Sequence, residues 1–143
     1  MREKPMRIMV SACLLGENCK YSGGNNRSEK VLAFIRGHEV FAVCPEVMGG
    51  LPTPRTPAEI VQDTVINKEG VNVDQAYRLG AKMALEIAKR ERIDMAIMQP
   101  RSPSCGAKEI YDGTFSGRRI PGMGVTAALL KENGFCVVDA DEL

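Results

Sequence analysis

The chain has no tryptophan, one histidine, and only three tyrosines and four phenylalanines. Proteins that stack nucleobases on a surface need more aromatic rings than this. Charge of one sign is also missing: 19 Lys and Arg stand against 18 Asp and Glu, interspersed, for a net charge of +1. Neither a nucleic-acid groove nor an anionic membrane surface is expected as a partner. No apolar run nears the length of a membrane span, and Met1-Arg2-Glu3-Lys4-Pro5 contains no apolar signal core, so a cytoplasmic location is expected. His38 precedes a strand-like run and reads as a surface residue, which leaves no histidine for a catalytic dyad. There is also no CxxC pair, the knuckle on which closed zinc modules are built.

Against those absences stand five cysteines. In a reducing compartment they argue for metal or thiol chemistry rather than a disulfide framework. A chain of 143 residues that is 44% hydrophobic needs no disulfides to hold a core, and residues 1–143 read as one domain.

Three of the cysteines share a context. Cys13 closes the run Ile8-Met9-Val10-Ser11-Ala12, Cys44 closes Val40-Phe41-Ala42-Val43, and Cys105 lies in Arg101-Ser102-Pro103-Ser104-Cys105-Gly106, a polar turn after Met95-Ala96-Ile97-Met98. Near-continuous apolar runs predict parallel strands covered on both faces, at about 7–12, 39–43 and 94–98, with a fourth at 135–139. Helical spacing predicts a helix from Ser28 toward Gly37, one capped by Asp74 with Ala76, Tyr77, Gly80, Met83, Ala84, Ile87 and Ala88 on one face, and one over 124–132. Residues 47–57 carry three prolines and two glycines and predict neither helix nor central strand. Residues 58–61 and 63–67 predict a small β-excursion. The fold class is therefore α/β: a parallel sheet of about four strands with flanking helices, whose ligands sit at the carboxyl ends of the strands. Cys13, Cys44 and Cys105 are all at carboxyl ends.

Three thiolates suit zinc or iron–sulfur. A four-iron cluster normally takes four, so three would leave one iron open as a Lewis acid, for which sulfur is a natural soft ligand. The motifs around these cysteines occur in a fixed order: Ser11-Ala12-Cys13-Leu14-Leu15-Gly16, Cys44-Pro45-Glu46-Val47-Met48-Gly49-Gly50-Leu51-Pro52, Pro57-Ala58-Glu59-Ile60, Ser102-Pro103-Ser104-Cys105-Gly106, Tyr111-Asp112-Gly113-Thr114-Phe115-Ser116-Gly117 and Pro121-Gly122-Met123-Gly124-Val125-Thr126-Ala127-Ala128-Leu129-Leu130. Over essentially its whole length the chain resembles the short bacterial family, long catalogued as a domain of unknown function, that includes the thiouracil desulfidases. The resemblance implies a Rossmann-like domain with a [4Fe-4S] cluster on Cys13, Cys44 and Cys105. It further implies non-redox, hydrolytic removal of sulfur from a small thiolated nucleobase such as 2-thiouracil, with Glu46 and Ser102 as acid–base groups. Two positions depart from the family pattern: Tyr21-Ser22-Gly23 replaces Tyr-Asp-Gly, and Cys19 is additional.

Individual residues also carry plainer readings. Cys136, inside Phe135-Cys136-Val137-Val138, is assigned to the core. Cys19 is either a loop residue or an accessory ligand. Ser102 and Ser104 are the residue types that cap a helix, and only the resemblance sets Ser102 apart; Ser104 is a candidate substrate contact. Asp112 is a turn residue by type and a second candidate contact. Arg55 and Arg118 are further candidates to reach a ligand, against the plainer reading of both as exposed surface arginines. The alternative function is a structural or sensing module in which Cys13, Cys19, Cys44 and Cys105 close a zinc or cluster site. A thiol transferase carrying persulfide on Cys105 is a further rival. The sequence sets no oligomeric state.

Overall fold

Ile8, Met9 and Val10 are fully buried in a strand whose neighbours on both sides run parallel to it. The computed structural model describes residues 4–143; Met1, Arg2 and Glu3, included in the N-terminal reading above, lie outside them. Strand β1 (Arg7–Ser11) pairs with β2 (Glu39–Val43) on one edge and β5 (Met95–Met98) on the other, and β5 pairs with β8 (Val137–Asp139). The sheet order is β2-β1-β5-β8, all parallel. Side chains alternate between its faces, as the pleat requires. Met9, Ala96 and Met98 pack on one side with helices α3 (Asp74–Glu91) and α4 (Val125–Glu132), through Ala84, Ala88 and Leu130. Ile8, Val10 and Ile97 pack on the other with Val31 of α1 (Glu29–Phe34) and with Ala140. Both faces are covered, which is why the strands read as continuous apolar runs. Among the described residues no helix is long and apolar enough to cross a membrane.

The β-excursion is present as a hairpin, β3 (Ala58–Val61) with β4 (Thr64–Asn67). Its two turn residues, Gln62 and Asp63, have φ of 48° and 65°, the left-handed pair that a tight two-residue hairpin needs. Several details differ from expectation. A short helix, α2 (Pro45–Met48), runs into the start of the stretch for which none was expected. Pro45 occupies its first turn, where a missing N–H costs nothing. A second hairpin, β6 (Glu109–Tyr111) with β7 (Arg119–Pro121), was not expected; strands of three residues are too short to show a period. Asp74 does not cap α3 but opens it, its Oδ1 accepting the Val65 N–H at 3.0 Å and so tying the helix to β4. Cys136 is exposed rather than in the core, because it precedes β8 by one residue and turns outward.

Candidate active site

The chain leaves β1 for β2 on one side and returns to β5 on the other, so the carboxyl ends of β1 and β5 flank a switch point. A cavity of about 500 Å³ opens there. Cys13, Cys44 and Cys105 all line it, as do Glu46 and Ser102. Cys13 lies in the turn Ala12–Leu15 that follows β1, and Cys44 stands between β2 and α2.

The Cys105 turn is held from three directions. Ser102 Oγ accepts the N–H groups of Ser104 at 3.1 Å and Cys105 at 2.9 Å. The N–H groups that open α4 donate to carbonyls of the same turn: Val125 to Pro103 and Thr126 to Ser104, both at 2.8 Å. The Ala107 N–H donates to the buried Asp139 carboxylate at 2.8 Å, fixing the turn to the end of β8. Two separated motifs, around residues 102–106 and 121–130, are thus one structural unit. Gly124 belongs to it because a side chain there would overlap the Ser104 carbonyl, at 2.6 Å.

The two candidate substrate contacts lie off the cavity wall. Ser104 is buried, with its hydroxyl hydrogen-bonded to Thr126 Oγ1 at 2.8 Å, and it does not line the cavity. Asp112 is also outside the cavity wall. Its carboxylate accepts from the N–H and hydroxyl of Thr114, closing its own turn, and these bonds hold its pKa below the usual carboxylate value.

Glu46 is the centre of a network that the sequence did not reveal. Arg55 Nη2 donates to its Oε2 at 2.7 Å, and the Tyr77 hydroxyl donates to its Oε1. The Arg55 and Glu46 side chains are only 5% and 17% exposed, so this ion pair is largely shielded from water. Burial, reinforced by the Glu46 carboxylate, pushes the Tyr77 phenol well above its usual pKa and keeps it a donor. Tyr77 lies on the buried face of α3, where helical spacing marked it only as packing. Arg55 lies in a loop and has no periodicity to read. Asn26 was missed as well: its Nδ2 donates to Cys13 Sγ at 3.5 Å. So was Glu59, whose carboxylate accepts the N–H groups of Gly113 at 2.9 Å and Phe115 at 3.1 Å and holds that loop beside the cavity.

The thiols crowd one another. Burial first, and then the charges of Cys44 and Glu46, raise the Cys13 thiol, against the bond from Asn26. Cys105 is pushed up to about 12 by burial, with Glu46 and Cys13 adding to it and bonds from Ser11 and Ser104 opposing. Buried thiols that repel each other's ionised forms suit a positively charged occupant, which would deprotonate them on binding. Among the described residues no three His, Cys, Asp or Glu side chains converge on a point that one ion could fill. Zinc needs such convergence, with sulfurs about 2.3 Å from the metal. A four-iron cube does not, since each thiolate meets a different iron. Burial of Cys105 likewise makes it a poor nucleophile for persulfide transfer.

The fold and site define an α/β domain with a strand-end thiol centre beside a clamped carboxylate. Residues 8–142 match the family model described as 2-thiouracil desulfurase, and the chain belongs to that family. It is 41% identical to the uncharacterised protein YbbK of Bacillus subtilis (strain 168), over 95% of this chain and 97% of that one. It is 40% identical to a solved structure of the [4Fe-4S]-dependent thiouracil desulfidase TudS (DUF523Vcz), with a TM-score of 0.91, covering 96% of this chain and 93% of that one.

Proposed function

We propose that this protein is a [4Fe-4S]-dependent desulfidase that hydrolytically removes sulfur from a small thiolated pyrimidine such as 2-thiouracil. Cys13, Cys44 and Cys105 would hold the cluster, and Glu46 and Ser102 would act on the reacting groups. The observation that carries the reading is the shared cavity: three thiols from three strand ends and a clamped carboxylate face the same space. Family membership and the TudS likeness support it.

When bound, the cluster supplies a soft Lewis acid for the substrate sulfur. The remaining work falls to side chains. Glu46 accepts a proton from the attacking water; each of its oxygens has a second lone pair beyond those engaged by Tyr77 and Arg55. Arg55 and Tyr77 fix the plane of the carboxylate so that the pair needs no reorganisation as the proton moves. Ser102 Oγ accepts two backbone N–H groups, so its own hydrogen is left to donate to a ring nitrogen or carbonyl in the cavity. Tyr111 and Phe115, on the cavity wall, supply apolar surface for a flat ring.

The zinc-module alternative predicts instead a colourless protein with stoichiometric zinc. Glu46→Gln in anaerobically reconstituted protein tests the reading. Cluster absorbance should persist while sulfide release from 2-thiouracil falls by about 100-fold or more, the scale of a lost general base. Undiminished release would remove Glu46 from the reaction, and colourless reconstituted wild type would remove the cluster.

A further inference from the structure

Cys19 is a fourth thiol on the cavity wall, and the reaction above does not use it. Its backbone is held from several sides. The Cys19 carbonyl accepts from Arg55 Nη2 at 2.8 Å and lies 3.7 Å from Cys44 Sγ, while its N–H donates to the Glu17 carbonyl at 2.9 Å. The turn that follows is closed by the Gly23 N–H to the Lys20 carbonyl at 2.9 Å, and the Arg55 N–H donates to the Tyr21 carbonyl at 2.7 Å. Arg55, which also grips Glu46, therefore fixes the Cys19 turn through both its backbone and its side chain. The Cys19 side chain is half-buried and packs against the apolar group that contains Cys13 and Leu14. With its backbone held this way, Cys19 stays on the cavity wall that Cys13 and Cys44 also line.

Four soft donors around one cavity is the number that a fully ligated four-iron cluster takes. Resting on the desulfidase reading, we infer that Cys19 is a fourth thiolate donor to the cluster, closing it in the resting enzyme and yielding its place to the substrate sulfur. Ligation forms one Fe–S bond and releases the thiol proton to solvent. Substrate binding reverses both, so no oxidant or reductant is consumed. Displacement is local, because Cys19 lies on a loop whose next residues, Lys20 to Gly24, are bonded chiefly to one another and to Arg55.

The test uses wild type, Cys19→Ser and Cys19→Ala, each reconstituted anaerobically and checked for iron and labile sulfide. Each is titrated with ferricyanide and followed by electron paramagnetic resonance. One-electron oxidation of a [4Fe-4S]2+ cluster with an iron lacking a thiolate gives [3Fe-4S]+ and a free ferrous ion. A fourth thiolate retains that iron. Several-fold more [3Fe-4S]+ in both variants than in wild type is the expected result, and equal yields overturn the inference. Wild type that keeps its iron but releases no sulfide from 2-thiouracil would defeat the desulfidase reading, and the displacement with it, while the [3Fe-4S]+ yields still decide whether Cys19 is a ligand. Failure of wild type to take up any cluster would defeat the desulfidase reading itself, and is read directly from the iron content.

Discussion

At Glu46 both carboxylate oxygens are engaged, one by a phenol and one by a guanidinium, and neither partner is a family-motif cysteine or serine. The two partners do different work. Tyr77 donates a single hydrogen bond to a charged acceptor, so Tyr77→Phe should keep the fold and the cluster while slowing turnover by about 10- to 100-fold, the scale of about 1.5–3 kcal/mol for such a bond. A normal visible spectrum with reduced sulfide release would be the signature. Arg55 is structural as well: it joins Glu46, the Cys19 carbonyl and the Tyr21 carbonyl. Removing one member of a largely buried pair leaves the other uncompensated, so Arg55→Ala should lower urea stability by about 3 kcal/mol. Arg55→Lys should recover only part of that, since an ammonium lacks the planar fork.

Between elements, the contact that matters most is α2 against α3. Gly80 sits where a side chain would overlap the Pro45 carbonyl, and Gly49 faces Ala76 in the same way. This close approach brings Glu46, in the first turn of α2, within reach of Tyr77 on α3. Gly80→Ala should therefore cost about 1–3 kcal/mol by overpacking, and should lose activity along with stability. Leu79→Ala, one position away but half-exposed, should stay within about 0.5 kcal/mol of wild type in the same denaturation series. The two small hairpins are coupled in the same spirit, through Glu59 of β3 and the backbone at Gly113 and Phe115.

For the whole molecule, the site draws on segments from residue 13 to residue 105, so an occupant that binds the folded arrangement must stabilise the entire domain. Cluster-loaded protein should melt at least about 5 °C above the chelator-stripped form, equivalent to about 2 kcal/mol for a chain of this size. Coincident melting temperatures would mean that the thiols do not hold the occupant together. Much of this architecture was legible without coordinates. Buried parallel strands read as continuous apolar runs, α3 showed its period over 18 residues, and a cysteine placed after an apolar run advertised a strand-end site. The sequence by itself determined the strands, the long helix, the three corner cysteines and the family resemblance, because these depend on local patterning and nearby spacing. It did not show that Ser104 and Asp112 turn away from the cavity, that Cys136 faces outward, or that β6 and β7 pair. Nor did it join Arg55, Tyr77 and Glu46. Only the tertiary structure decided these, since each depends on how separate elements approach, and hydrogen bonds between residues 31 or 36 positions apart leave no periodic trace in a chain.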